Sequence, residues 1–290
     1  MTVINDAHCH FFSTPFFASL GGDAALATLG WDPPGTAQSL ADRWAAELDR
    51  HHVRRAALIA TMPGDAGSVA AAVTRHPSRF VGFFMVDPTS ADAAPTTAAA
   101  LATGALRTIC LYPSMHGYSI GDARAQRVFD LAAAVPGTCV FVHCGVLSVG
   151  VRKKLGLASP FDLSRGHPVA LQAVATRYPA VPIIVPHFGA GFFREALMLA
   201  DMCPNVYFDT SSSNAWIAYH PGLTLAGVFR QALAVAGADR LLFGTDSSFF
   251  PRGWVADVHE RQAAALNELG VGDDVKQKIF GGNFDRLFRP

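Results

Sequence analysis

Charge is scarce in this chain of 290 residues. Only 16% of positions are Asp, Glu, Lys or Arg, and acids and bases balance at 23 each. No basic stripe or Lys/Arg-rich run exists, so the electrostatic footprint that nucleic acid requires is missing. The apolar stretches are broken by Arg, Asp, Gly or Pro well short of a membrane span. Five cysteines, an odd number without C-x-x-C spacing, give neither a disulfide framework nor a zinc ribbon. They suit a reducing compartment. No basic segment followed by an apolar one opens the chain, so no secretory signal is read and a cytoplasmic location is expected. No G-x-G-x-x-G follows the first β-rich run, which argues against a dinucleotide-binding open sheet. Linkers and low-complexity tracts are also absent.

What is present is core-forming. Half the residues are hydrophobic. Eight β-rich runs are expected as strands, at residues 2–8, 55–62, 80–86, 106–112, 139–143, 182–187, 205–209 and 241–246. Most, such as CVFVH, PIIVPH and LLFGTD, are nearly continuous apolar runs, as in strands buried on both faces of a parallel sheet. Helix-period segments such as SLADRWAAELDRHH, DARAQRVFDLAAAV and VADVHERQAAALNELG lie between them. Eight alternations in one domain spanning residues 1–290 predict a (β/α)8 TIM barrel, a fold that typically needs about 250 residues. An open doubly wound sheet is the alternative. Residues 12–35 and 147–166 read as excursions after strands, on the face where barrel enzymes build their sites.

The opening MTVINDAHCHFF carries His8 and His10 two residues apart. On a strand they share a face, with Cys9 on the other, and two imidazoles on one face can pinch one metal ion. The spacing alone also occurs without a metal. Other strand ends add weight: FVHCG carries His143, VPHFG His187 and FGTDS Asp246. Four strands thus deliver imidazole or carboxylate to one rim. The remaining histidines read differently. His51, His52 and His76 end helices, where a cation suits the dipole. His116, His167 and His259 read as ordinary polar residues, and His220 lies in the long NAWIAYHPG loop. Asp6 shares the alternation of His8 and His10, and either orients one of them or caps the barrel floor. Arg252 either anchors a substrate carboxylate or lies on the surface. Phe11, Phe12, Phe249, Phe250, Trp216 and Trp254 flank site strands and either wall an apolar pocket or pack; Phe12 and Trp254 are the aromatic choices for substrate contact. Ser211, Ser212 and Ser213 follow the seventh run, with no His–Ser pairing legible.

Taken together, H-x-H on the first strand, His on the fifth and sixth and Asp on the eighth resemble the amidohydrolase superfamily. The phrases LYPSMHGYSI, FVHCG, VPHFGAGF, NVYFDTS, LLFGTDS and GGNFDRLF resemble its amidohydrolase-related branch. That branch also contains aminocarboxymuconate-semialdehyde decarboxylase and resorcylate decarboxylase. The similarity runs from Asp6 to Phe288. It implies that His8, His10 and His143 bind one divalent metal, with Asp246 as a further ligand or as a base on metal-bound water. It further implies that His187 faces the substrate as a proton donor, acceptor or electrostatic stabiliser. Binuclear relatives usually bridge two ions with a carboxylated Lys or a Glu at the end of the fourth strand. Here that strand ends RTICLYP, and the four lysines, Lys153, Lys154, Lys276 and Lys278, lie elsewhere. One ion is therefore expected. Cys110 is either a thiolate ligand or a small core residue.

Three histidines, a carboxylate and an open position describe a catalytic site, for which zinc fits best and manganese is the alternative. Such an ion polarises a substrate oxygen and acidifies water to a pKa of about 7. The expected activity is hydrolysis of a small amide, lactone or ester by metal-activated water. The alternative is non-oxidative decarboxylation of an aromatic or unsaturated acid. A metal-independent lactonase and a non-catalytic sensor are weaker readings. The expected partner is a small-molecule substrate, with neither nucleic acid nor membrane, and a homodimer is left open.

Overall fold

The computed structural model describes residues 3–289. Eight strands run in chain order around one sheet: β1 (Ile4–Phe11), β2 (Val53–Ala60), β3 (Phe80–Val86), β4 (Leu106–Leu111), β5 (Cys139–Val142), β6 (Ile183–Val185), β7 (Val206–Asp209) and β8 (Leu241–Leu242). Each pairs in parallel with the next. The seam between β8 and β1 is closed by backbone hydrogen bonds: Ala7 to Phe243 O at 2.8 Å, Asp246 to His8 O at 2.9 Å and His10 to Ser247 O at 2.6 Å. Helices α1 (Ala37–Arg50), α2 (Ala66–Arg75), α3 (Ala93–Ala102), α4 (Ala123–Ala134), α5 (Gln172–Arg177), α6 (Phe193–Met202), α7 (Leu225–Ala236) and α8 (Ala256–Glu268) follow the strands in turn. This is the (β/α)8 barrel expected from the eightfold alternation. Three helix starts carry side-chain caps, Thr36 on α1, Asp122 on α4 and Thr224 on α7, each accepting from a first-turn N–H.

Two apolar layers hold it together. The strands' outward side chains meet the helices, with Leu40, Trp44, Val128 and Phe229 completely covered. The inward ones, including Ala57, Ile59, Phe83, Cys110, Phe141 and Leu242, fill the barrel. Phe284 and Phe288 from the C-terminal turn plug its floor, and Arg55 fastens that turn by donating to Phe288 O at 3.0 Å. Cys110 is one of these inward core residues, and burial raises its thiol well above the ordinary value. All five cysteines are free and buried. Among the described residues no helix is long and apolar enough to cross a membrane.

Strand ends depart from the sequence reading. The first strand, expected at residues 2–8, continues through His10 to Phe11; Thr2 lies outside the described residues. The sixth and eighth stop early, at Val185 and Leu242; the chain turns left-handed at His187 (φ 55°), two residues past the sixth, and at Asp246 (φ 62°), four residues past the eighth. In β1 a register irregularity between Asp6 and Cys9 also sets three β1 steps against two on β2. This bulge resets the alternation, with consequences for Asp6.

Candidate active site

The C-terminal rim of the strands surrounds a cavity of about 730 Å³. His8 and His10 enter from β1, Asp246 from the turn after β8, His143 from the end of β5 and His187 from the turn after β6. Three donor atoms form a tight triangle. His8 Nε2 lies 3.3 Å from His10 Nε2 and 3.4 Å from Asp246 Oδ1, and His10 Nε2 lies 3.1 Å from that same oxygen. Ligands held at about 2.0–2.1 Å by a tetrahedral ion stand about 3.3 Å apart. The triangle therefore has the edge lengths of one face of such a shell, and these residues fit a metal ion. Burial opposes ionisation of Asp246, but the hydrogen bond from His10 and the nearby His8 and His187 rings hold it well below the usual carboxylate range. Its side chain keeps 33% exposure, toward the cavity.

Each triangle histidine is held from behind. His8 Nδ1 donates to Asp209 Oδ2 at 2.6 Å, which leaves Nε2 free to ligate. Burial disfavours a charged His8 ring, yet Asp209 against it raises its pKa to about 9. Asp209, wholly buried at the end of β7, is itself fixed by the Ser211 N–H at 2.8 Å. His10 Nδ1 meets Thr61 Oγ1 at 3.1 Å. Gly244 makes room for this arrangement: a Cβ there would stand 2.8 Å from Asp209 Oδ1 and 3.0 Å from His8 Cβ. Asp209 and Thr61 escaped the sequence reading. The one available signal was a carboxylate ending an apolar strand, in NVYFDTS.

His143 and His187 share the cavity but lie outside the triangle. Among the described residues, the set whose ligand atoms all fall within 4.8 Å of one another is His8, His10 and Asp246. His143 Nδ1 is buried and has no hydrogen-bond partner. Burial, together with the neighbouring histidines, keeps its ring neutral, well below the ordinary imidazole value. Such an orphaned nitrogen is what an ion would satisfy. The His187 ring stacks on His8 with centroids 5.0 Å apart and meets His143 edge-on at 5.4 Å. Burial lowers its pKa too. His187 Nδ1 faces two groups of one residue, Ser211 Oγ at 2.9 Å and Ser211 O at 3.2 Å. The hydroxyl donates to one tautomer and the carbonyl accepts from the other. Ser211 thus supports either protonation pattern of His187, a His–Ser pairing not legible in the sequence. Ser211 is fully buried, which suits positioning and not nucleophilic attack.

The remaining candidates divide. Phe12 and Arg252 line the cavity, as do Trp216 and Phe250. Trp254 does not: it lies behind the wall, 4% exposed, with Nε1 donating to Asp6 Oδ2 at 2.7 Å. Asp6 is also displaced from its expected place. Because of the bulge it points away from the cavity with Cys9, and it reaches the site by accepting the His8 backbone N–H at 2.8 Å and the Thr245 N–H at 3.1 Å. It ties β1 to β8 under the triangle. The excursion at residues 12–35 brings Trp31 to the cavity, and the one at residues 147–166 brings Leu147 and Lys154. His220 lies in its loop with Nε2 donating to Gly191 O at 3.1 Å, away from the triangle.

Comparison with known proteins agrees with this architecture. In Emericella nidulans, protein fluG is 31% identical over 103 residues, which are 35% of this chain and 12% of that protein. Three solved structures share the fold. The 5-carboxyvanillate decarboxylase from Sphingomonas paucimobilis superposes with a TM-score of 0.66 at 17% identity, covering 100% of this chain and 99% of that one. A probable 2-pyrone-4,6-dicarboxylic acid hydrolase from Acinetobacter baumannii, with citric acid bound, gives 0.62 at 16% identity and 99% coverage of both chains. An amidohydrolase from Burkholderia multivorans with bound zinc gives 0.63 at 17% identity and 98% coverage of both. The sequence profile described as Amidohydrolase matches residues 6–289, nearly the whole length. The chain belongs to the amidohydrolase family.

Proposed function

We propose that this protein is a metal-dependent hydrolase of a small lactone, ester or amide bearing a carboxylate. The triangle of His8, His10 and Asp246, open to the cavity, carries the reading. His143, with its unpartnered Nδ1, completes the group that would hold the ion. One ion per chain is favoured, since β4 ends at Leu111 and is followed by Tyr112, with no Lys or Glu there to bridge a second. The mixed imidazole and carboxylate set suits zinc first and manganese second. When bound, such an ion polarises a carbonyl and makes water a better nucleophile.

The chain's own groups supply the rest. Asp246 is ionised and faces the cavity, so it takes the proton of the attacking water. His187 relays that proton to the leaving oxygen or nitrogen, and Ser211 steadies the ring in both tautomers. Arg252 pairs with the substrate's carboxylate, and Phe12 packs on its apolar part. A second reading, decarboxylation of an aromatic acid in the same site, is favoured by the aromatic walls, where Trp31 and Phe250 stack with centroids 6.0 Å apart. The test loads the protein with zinc or manganese. Acid release is then followed from carboxylated lactones, esters and amides, beside CO₂ release from aromatic acids. Metal-dependent acid release is expected. CO₂ release alone would overturn the hydrolase reading in favour of the second.

A further inference from the structure

Tyr112, the residue after β4, holds a hydroxyl that the fold does not use. It is 3% exposed and lines the cavity. Its ring stacks on His143 with centroids 5.5 Å apart and planes at 22°, and lies 6.0 Å from the Phe141 ring. Its phenol oxygen is buried without a hydrogen-bond partner. Buried tyrosine hydroxyls usually find one, and an unmade bond destabilises the fold. Phenylalanine would keep both ring contacts without that cost. The stacked His143 carries a second orphan, Nδ1. The ion accounts for that nitrogen, which leaves the Tyr112 hydroxyl as the orphan on this wall that an oxygen arriving in the cavity would satisfy. Lys154 and Arg252 also line this cavity but are exposed, so water already satisfies them.

We propose that Tyr112 is a further catalytic residue, whose hydroxyl donates a hydrogen bond to the oxygen of the substrate's reacting carbonyl group. The assignment rests on the hydrolase reading. A neutral phenol is a donor that stays protonated across the physiological range. It strengthens its bond as negative charge grows on the acceptor, so it favours the transition state over the bound substrate.

The test compares zinc-loaded wild type with zinc-loaded Tyr112→Phe, using benzoate as an unreactive probe that presents carboxyl oxygens on a ring. Calorimetry should give benzoate binding about 3- to 10-fold weaker in Tyr112→Phe, the worth of one hydrogen bond. Zinc content should be equal in the two proteins. The Tm of the variant should equal or exceed that of wild type, because an unsatisfied donor has been removed. Equal benzoate affinity in the two proteins, or none in wild type, overturns the assignment. A Tm lowered by several degrees overturns it as well, since it would reveal a partner within the protein. If binding depends on Tyr112 while no lactone, ester or amide is hydrolysed, the hydrolase reading falls and the donor stands.

Discussion

At the residue scale, the site depends on side chains that never touch the cavity's contents. Asp209 fixes the tautomer and the direction of His8 across a 2.6 Å hydrogen bond. Asp209→Asn keeps the shape and removes the charge, so it should weaken zinc binding by about 10- to 100-fold. Competition against a chromophoric chelator measures this, and unchanged affinity would remove Asp209 from the account. Gly244 tests the same packing from the other side. Its backbone is ordinary, so Gly244→Ala acts by volume alone, against Asp209 and His8. A loss of about 1–3 kcal/mol is expected in a urea titration, together with weaker zinc binding. Trp254 separates wall from support. Trp254→Phe deletes the donor to buried Asp6 and should cost about 1–3 kcal/mol of stability. Zinc stoichiometry should stay the same, because Trp254 lies outside the cavity.

At the element scale, strand ends do the positioning. The bulge in β1 sends Ala7 and His8 inward in succession and turns Asp6 to the helix side. Strict alternation in INDAHCHF predicts the opposite for Asp6, and nothing in the letters marks the bulge. The H-x-H pair itself was legible because His8 and His10 still share a face, although His8 lies within the irregularity. The turns that aim His187 and Asp246 were not legible either. Both residues adopt left-handed backbones, which non-glycine side chains take at a cost, commonly at functional sites. Asparagine tolerates that backbone better than most residues. His187→Asn should therefore keep the turn and the metal while losing about 10²–10⁴ in turnover. Bound zinc and kcat, measured on the same preparation, decide it. Loss of zinc equal to that of His143→Asn would make His187 a ligand instead.

At the scale of the whole molecule, the barrel separates stability from chemistry. Phe284, Phe288 and Arg55 close the floor, and every group assigned to the reaction stands at the opposite rim. The eightfold alternation and the rim histidines were legible because each repeats or ends an apolar run. Asp209, Ser211 and Tyr112 were not, because their roles come from neighbours 24 to 203 positions away in sequence or from a missing partner. The proposed chemistry turns on one ion held by His8, His10 and Asp246. Its most direct test is the metal content, by mass spectrometry, of protein saturated with zinc and freed of excess, in wild type and in His10→Ala. One equivalent per chain in wild type and almost none in His10→Ala is the predicted result. Two equivalents in wild type, or zinc retained without His10, would contradict it.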